Sequence, residues 1–255
     1  MARLLPRRAA SLVCLAALLA GCASVPANVS VPSPTDPWEA WNRKVYAFND
    51  AIDQAVLKPV AQAYRDHVPQ LLRTGVSNFF GNIGDVWSTA NHFLQGKVGT
   101  GFEMGMRVLT NTLFGLGGVL DPATEMKLPR RSEDFGQTLG VWGLPAGPYI
   151  VLPLLGPSSL RDTVGLPLDR YAGMSSHFVD AEEWMMSALQ LVNVRAELLA
   201  TTKLVGDVSL DPYVFVRDAY LARRLDQVYD GAPPLEKMED DGADAPPPPP
   251  PKKGN

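Results

Sequence analysis

Cysteine is almost missing from this chain. Only two occur among 255 residues, at Cys14 and Cys22. From residue 23 onward there is no disulfide, no thiol nucleophile and no thiolate for a metal, so stability there rests on packing. Basic charge is also short: 23 lysines and arginines face 27 acids, a net charge of −4. Without a basic stripe, nucleic acid is excluded as a partner, and so is simple electrostatic docking on anionic lipid. After Cys22 no apolar run reaches the roughly 18 to 20 residues of a spanning helix. The longest, Tyr149 to Leu155, is interrupted by Pro153.

Catalytic constellations are missing as well. The three histidines, His67, His92 and His177, never stand at His-x-x-x-His spacing, and they read as structural or surface groups. No glycine cluster matches Gly-x-Gly-x-x-Gly or the phosphate loop. The stretch Gly156-Pro157-Ser158-Ser159-Leu160 lacks the second glycine of a nucleophile elbow, so Ser158 reads as a helix cap. Glu133-Asp134 and Glu182-Glu183 read as acidic first turns of helices rather than acid–base pairs. These patterns give no catalytic residue, no metal site and no cofactor.

What is present begins at the amino end. Arg3, Arg7 and Arg8 precede an apolar run from Ala9 to Ala20, and Leu19-Ala20-Gly21 leads into Cys22. This is a secretory signal with a lipobox. The expected mature chain starts at Cys22, which carries lipid. Loss of three arginines lowers the basic count from 23 to 20 against 27 acids, a balance of about −7. Ala23, where an aspartate would favour inner-membrane retention in many Gram-negative lipoproteins, points to the outer membrane.

The expected organisation is a signal peptide at 1–21, a lipidated flexible tether at 22–35, a helical domain at 36–230 and an acidic, proline-rich tail at 231–255. Asp36-Pro37 suits a helix start. Trp38, Trp41, Val45, Phe48, Ile52 and Val56 recur at helical spacing, and Lys58-Pro59 predicts the stop. Shorter helices are expected over Val60–His67, Leu71–Phe80, Asp85–Leu94 and Thr100–Phe114, with Gly75, Gly81, Gly84, Gly96, Gly99 and the Gly115–Gly118 cluster as connectors. Ser132-Glu133-Asp134 opens a short helix through Leu139. Gly143 to Gly156 carries too many prolines for a helix and predicts an extended or hairpin-like apolar segment. Ser158-Ser159 caps a helix limited by Pro167. Asp180 caps the longest helix, 181–205, and Asp211-Pro212 opens the last, Tyr213 to about Tyr229. Six prolines run from Pro246 to Pro251. The fold class is all-α: one domain of about eight helices with an apolar Pro/Gly loop. Trp38, Trp41, Trp87, Trp142 and Trp184 fit either a core or a membrane interface. The Gly143–Gly156 loop likewise fits buried core or the wall of a lipid-sized passage.

Several stretches together resemble the VacJ/MlaA family of outer-membrane lipoproteins. They are Asp36-Pro37-Trp38-Glu39-Ala40-Trp41-Asn42-Arg43, Lys58-Pro59-Val60-Ala61, Gly75 to Asn82, Phe93-Leu94-Gln95-Gly96, Arg107 to Asp121, Asp134 to Gly140, Gly147-Pro148-Tyr149, Leu152-Pro153, Leu160-Arg161-Asp162, Asp211-Pro212-Tyr213 and Arg217 to Tyr220. The resemblance implies a ring-shaped helical lipoprotein in the inner leaflet of the outer membrane, facing the periplasm and associated with a trimeric porin. It implies a passive conduit, not an enzyme. Mislocalised phospholipid would leave the outer leaflet through its channel for a periplasmic MlaC-like carrier, preserving lipid asymmetry. Candidate lipid-path or channel-loop residues are Phe48, Asn49, Gly143, Pro145, Gly147 and Tyr149, and Cys22 is the lipidation site. Pro145 and Ala146 depart from the glycine or aromatic pattern of the family loop. The rival functions are an envelope lipid hydrolase using Ser158 or His177, and a structural porin-associated lipoprotein.

Overall fold

A computed structural model describes residues 33–173 and 181–234. The signal, Cys22, His177, Asp180 and the tail from 235 lie outside the described residues.

Helix α1 spans Glu39–Ile52. Asp36 does not cap it. Its fully buried carboxylate instead accepts from Asn42 Nδ2 at 2.8 Å and from the Tyr213 hydroxyl, fastening the start of the domain to its last helix. The expected stop at Lys58-Pro59 does not occur either. A π-helical turn, Asp53–Leu57, follows α1 directly and leads into α2, Lys58–His67. Proline breaks helices because it lacks an N–H and its ring meets the carbonyl four residues back. The wider turn, in which the Lys58 N–H reaches Asp53 O, relaxes that conflict at Pro59. Arg195 grips Asp53 with two 2.7 Å bonds.

Val68, extended before Pro69, ends α2. Helix α3, Gln70–Leu94, is one rod where two were expected. Gly75 and Gly81 sit inside it as points of close approach: a Cβ would lie 3.0 Å from Val119 Cγ1 at Gly75, and 2.5 Å from Arg130 Nη1 at Gly81. The real break is Gly96, at φ +74, a value that suits glycine. Helix α4, Val98–Phe114, then packs back on α3. Leu116, Gly117 and Gly118 turn the chain with positive φ into the short α5, Pro122–Glu125.

Ser132 does not open the next helix, and Glu133-Asp134 are not its first turn: the chain stays non-helical to Asp134, which itself caps α6, Phe135–Val141, accepting from the Gln137 N–H at 2.8 Å. The proline-rich segment forms a hairpin, as expected. Strand β1, Tyr149–Leu152, pairs antiparallel with β2, Gly156–Ser159, with Tyr149 opposite Ser159. Ser159, rather than Ser158, caps α7, Leu160–Ala172. That helix continues through Pro167 because both sides are held. Gly165 meets the backbone of Gly136 on α6, and Asp169 accepts from Trp87 Nε1 at 2.8 Å and the Phe135 N–H at 2.7 Å. Helix α8, Ala181–Val208, is the longest, and α9, Pro212–Val228, is capped by Asp211.

Counting α1, the π turn and α2 as one rod, the described residues hold eight continuous helical rods. Their neighbours form a closed circuit: α2 on α8, α8 on α3, α3 on α6, α6 on α9, α9 on β2, β1 on α1, and α1 back to α2. A ring has no single centre to fill. Among the described residues, seven of the ten buried apolar ones accordingly form two small clusters, Val45, Tyr149, Val151 and Tyr213 in one, Ala61, Ala196 and Leu199 in the other.

Candidate functional site

The helices are amphipathic in the reverse sense to a water-soluble protein. On α4, Phe102, Met106, Leu109 and Leu113 recur at helical spacing and are exposed, while Arg107, Thr110 and Asn111 are buried. On α3 the buried residues include Asn82, Asp85, Ser88, Asn91 and His92. Among the described residues, 17 polar or charged side chains are buried against 10 apolar ones. That ratio locates the apolar surface on the outside. Contiguous exposed apolar surface of this kind marks contact with a membrane or a partner. No described helix is long and apolar enough to cross a membrane.

Buried polar groups demand partners, and among the described residues all but Asn82 Oδ1, Gln95 Oε1 and the Tyr149 hydroxyl have one. Arg107, 1 % exposed, donates through Nε to Asp85 at 3.2 Å, through Nη1 to Leu128 O at 2.6 Å and Thr124 Oγ1 at 3.0 Å, and through Nη2 to Asp121 at 2.5 Å. Burial opposes the Asp121 charge, but bonds from Thr124, Asn111 and Arg107 outweigh it and bring the carboxyl down to about 2. Asp85 goes the other way. Its burial raises it above the usual range despite Arg130 and Arg107. A second knot joins α9 to α6 and α7, where Arg224 bonds both Asp134 and Asp162.

A cavity of about 820 Å³ lies between α3, the Arg130–Glu133 segment, the hairpin turn, α7 and α8. Leu154, Leu155, Leu166, Leu191 and Val194 line it with hydrocarbon; Asp85, Arg130, Ser132 and Asp169 line it with polar groups. Such a wall suits one kind of ligand, a molecule with apolar chains and a charged head.

The residues singled out from sequence are not together. Phe48 is exposed on α1. Asn49 holds the hairpin, donating to Leu152 O at 3.0 Å and accepting from the Leu154 N–H at 2.8 Å. Tyr149 belongs to the core: strand alternation turns it inward, fully buried, with its ring 6.3 Å from Tyr213 and 5.9 Å from Tyr220. Burial pushes its hydroxyl well above the usual tyrosine value. Gly143, Pro145 and Gly147 line a different cavity, of about 590 Å³, against Leu221, Leu225 and Val228 of α9. Gly143 and Gly147 both have positive φ. Of the lining residues, Arg130 and Asp169 were not singled out from the sequence, and neither carries a local signal there.

Among the described residues no histidine or carboxylate bonds the Ser158 hydroxyl. It is within hydrogen-bonding distance of Thr163 Oγ1 and Ser159 O. Both ring nitrogens of His92 are engaged, by Arg131 O and Thr100. Among the described residues no three histidine, cysteine or carboxylate groups converge to hold a metal.

The family model described as MlaA lipoprotein matches residues 34–227. The chain is 39 % identical over 214 residues to the "Intermembrane phospholipid transport system lipoprotein MlaA" of Escherichia coli (strain K12), covering 81 % of this chain and 82 % of that one. It is 31 % identical over 235 residues to the protein of the same name from Haemophilus influenzae, with coverages of 88 % and 92 %. A solved structure described under "Structural basis for maintenance of bacterial outer membrane lipid asymmetry" superposes with a TM-score of 0.68 at 37 % identity, covering 76 % of this chain and 98 % of that one.

Proposed function

This chain belongs to the MlaA lipoprotein family, and from that membership we propose that it is an outer-membrane lipoprotein that conducts phospholipid. It sits in the inner leaflet, facing the periplasm and tethered through Cys22. Mislocalised phospholipid from the outer leaflet enters its cavity and passes to a periplasmic MlaC-like carrier. A trimeric porin holds it in place. The observation that carries the reading is the reversed amphipathicity: hydrocarbon outside for a leaflet, and a cavity that offers both surfaces of a lipid. Flow is passive, since the sequence has no phosphate loop through which a nucleotide could drive it. The names carried by the matched family and relatives are those of transport lipoproteins, not of enzymes.

The test is outer-leaflet phospholipid measured in cells with and without the protein. Accumulation in the deletion strain, reversed by the intact gene, is expected. A deletion strain with normal outer-leaflet lipid rejects the conduit and favours the porin scaffold. Lipid turnover by purified protein that disappears in a Ser158→Ala, His177→Ala double variant would establish the hydrolase instead.

A further inference from the structure

We infer that Arg130 is the phosphate-contacting residue of the 820 Å³ cavity, an inference that rests on the conduit reading above. Adjacent arginines take opposite courses here. Arg131 pairs with Glu103 at 2.8 Å, whereas Arg130 lines the cavity. Its Nε donates to Asp85 at 3.0 Å, which fixes the direction of the side chain. The two terminal nitrogens, Nη1 and Nη2, have no hydrogen-bond partner among the described residues. They lie against Gly81 on α3, where a Cβ would stand 2.5 and 2.6 Å from them. Glycine at that helical position costs about 1 kcal/mol relative to alanine. What the cost provides is a flat seat for the guanidinium.

The carboxylates near the fork leave its terminal nitrogens unengaged. Asp85 is shared between the Nε atoms of Arg130 and Arg107, so it does not offset both. The other carboxylates on the wall are occupied. Asp169 accepts from Trp87 and Phe135, and Glu133 accepts from Lys97 at 3.1 Å and Gln95 at 2.9 Å. A guanidinium with two parallel N–H groups free matches two phosphate oxygens. Leu154, Leu155, Leu191 and Val194 line the same cavity. A phosphodiester on the Arg130 fork would leave its acyl chains that surface to lie on. The chemistry recognised is phosphate attached to hydrocarbon.

The experiment uses full-length lipidated protein incubated with vesicles of phosphatidylethanolamine and diacylglycerol, recovered in mild detergent, with retained lipid counted per protein. Arg130→Ala is expected to lower retained phosphatidylethanolamine about tenfold, with diacylglycerol unchanged. Gly81→Ala keeps the charge but displaces the fork, and is expected to lose several-fold. Arg130→Lys restores charge without the paired geometry and falls between. Unchanged phosphatidylethanolamine retention in Arg130→Ala and Gly81→Ala overturns the inference. So does an equal loss of both lipids, which would make Arg130 a wall residue only. Arg130-dependent binding of inorganic phosphate, with phosphatidylethanolamine retention untouched, would assign the fork to free phosphate and reject the headgroup. Wild-type protein that retains neither lipid overturns the conduit reading itself. Should Arg130→Ala misfold, Gly81→Ala and Arg130→Lys still decide the question.

Discussion

Asn42 and Asn49 stand two turns apart on α1 and each brackets a stretch of the hairpin with one side-chain amide. Asn42 donates to Tyr149 O at 3.1 Å and accepts from the Val151 N–H at 2.9 Å; Asn49 does the same for Leu152 O and the Leu154 N–H. The pair supplies the edge of β1 with the partners a third strand would give. An unpaired edge needs such cover.

Asn42→Ala is therefore expected to destabilise the fold by about 3 kcal/mol, because it strands the Val151 N–H, the Tyr149 carbonyl and one oxygen of Asp36 in a buried site. Asn49 is only half-buried, and Asn49→Ala should cost about 1 kcal/mol. Denaturant unfolding of both variants checks the order. Equal losses would mean that burial does not separate the two amides.

Gly118 is held at φ +96, with Asn82 so close that an added Cβ would stand 2.7 Å from the Asn82 Cβ. Gly118→Ala then meets both a strained backbone and a clash, and is expected to cost about 2 to 4 kcal/mol. At Gly84, where nothing lies within 4 Å, alanine should stabilise α3 by up to about 1 kcal/mol. The two variants compared by thermal unfolding should move in opposite directions.

The Arg224 knot gives a pH dependence. Burial works against the Asp162 charge, but Arg224 and the Tyr220 hydroxyl prevail and hold it near 2; Asp134 is lowered by Arg224 in the same way. A carboxyl lowered in the folded state binds fewer protons than in the unfolded chain, so its contribution is full above about pH 4 and is lost as pH falls toward 2. For Asp162 this amounts to roughly 2 kcal/mol. Asp85, raised by burial, acts with the opposite sign. Unfolding midpoints between pH 5 and 2 should fall in the wild type and fall less steeply in Asp162→Asn. A variant with the wild-type slope would remove Asp162 from the account.

The outward face of α4 carries the fourth prediction. Phe102, Leu109 and Leu113 are all exposed, and replacing them by serine removes apolar surface without touching the buried Arg107 network. Stability in mild detergent should change by less than about 1 kcal/mol, while binding of a form lacking the lipid to vesicles should weaken strongly. Unchanged vesicle binding would place the leaflet contact elsewhere.

How much of this was legible from sequence depended on the distance over which each signal acts. Local devices could be read directly. The Asp211 cap, the glycine turn at Gly115–Gly118 and the non-helical Gly143–Gly156 stretch are settled by residues within a few positions. The failures came from contacts made far along the chain. Gly75 and Gly81 look like breakers until Val119 and Arg130 are seen against them. Pro167 looks like a stop until Asp169 is found holding Trp87. Tyr149 looked like a passage residue because an apolar loop reads alike whether it faces hydrocarbon or core. Arg130 gave no signal, since adjacent arginines look the same whichever one turns inward.

The π-helical turn Asp53–Leu57 holds one residue more than an α-helical path would need. One residue corresponds to about 100° of helical rotation. Deleting it would keep α1 clamped to the hairpin but swing α2 by that angle, carrying Ala61 away from Ala196 and Leu199, and Tyr64 away from its 3.0 Å bond to Asn193. The turn thus sets the phase between two halves of one rod, like a key cut into a shaft. Arg195 on Asp53 pins that key in place, and closure of the circuit depends on a single inserted residue.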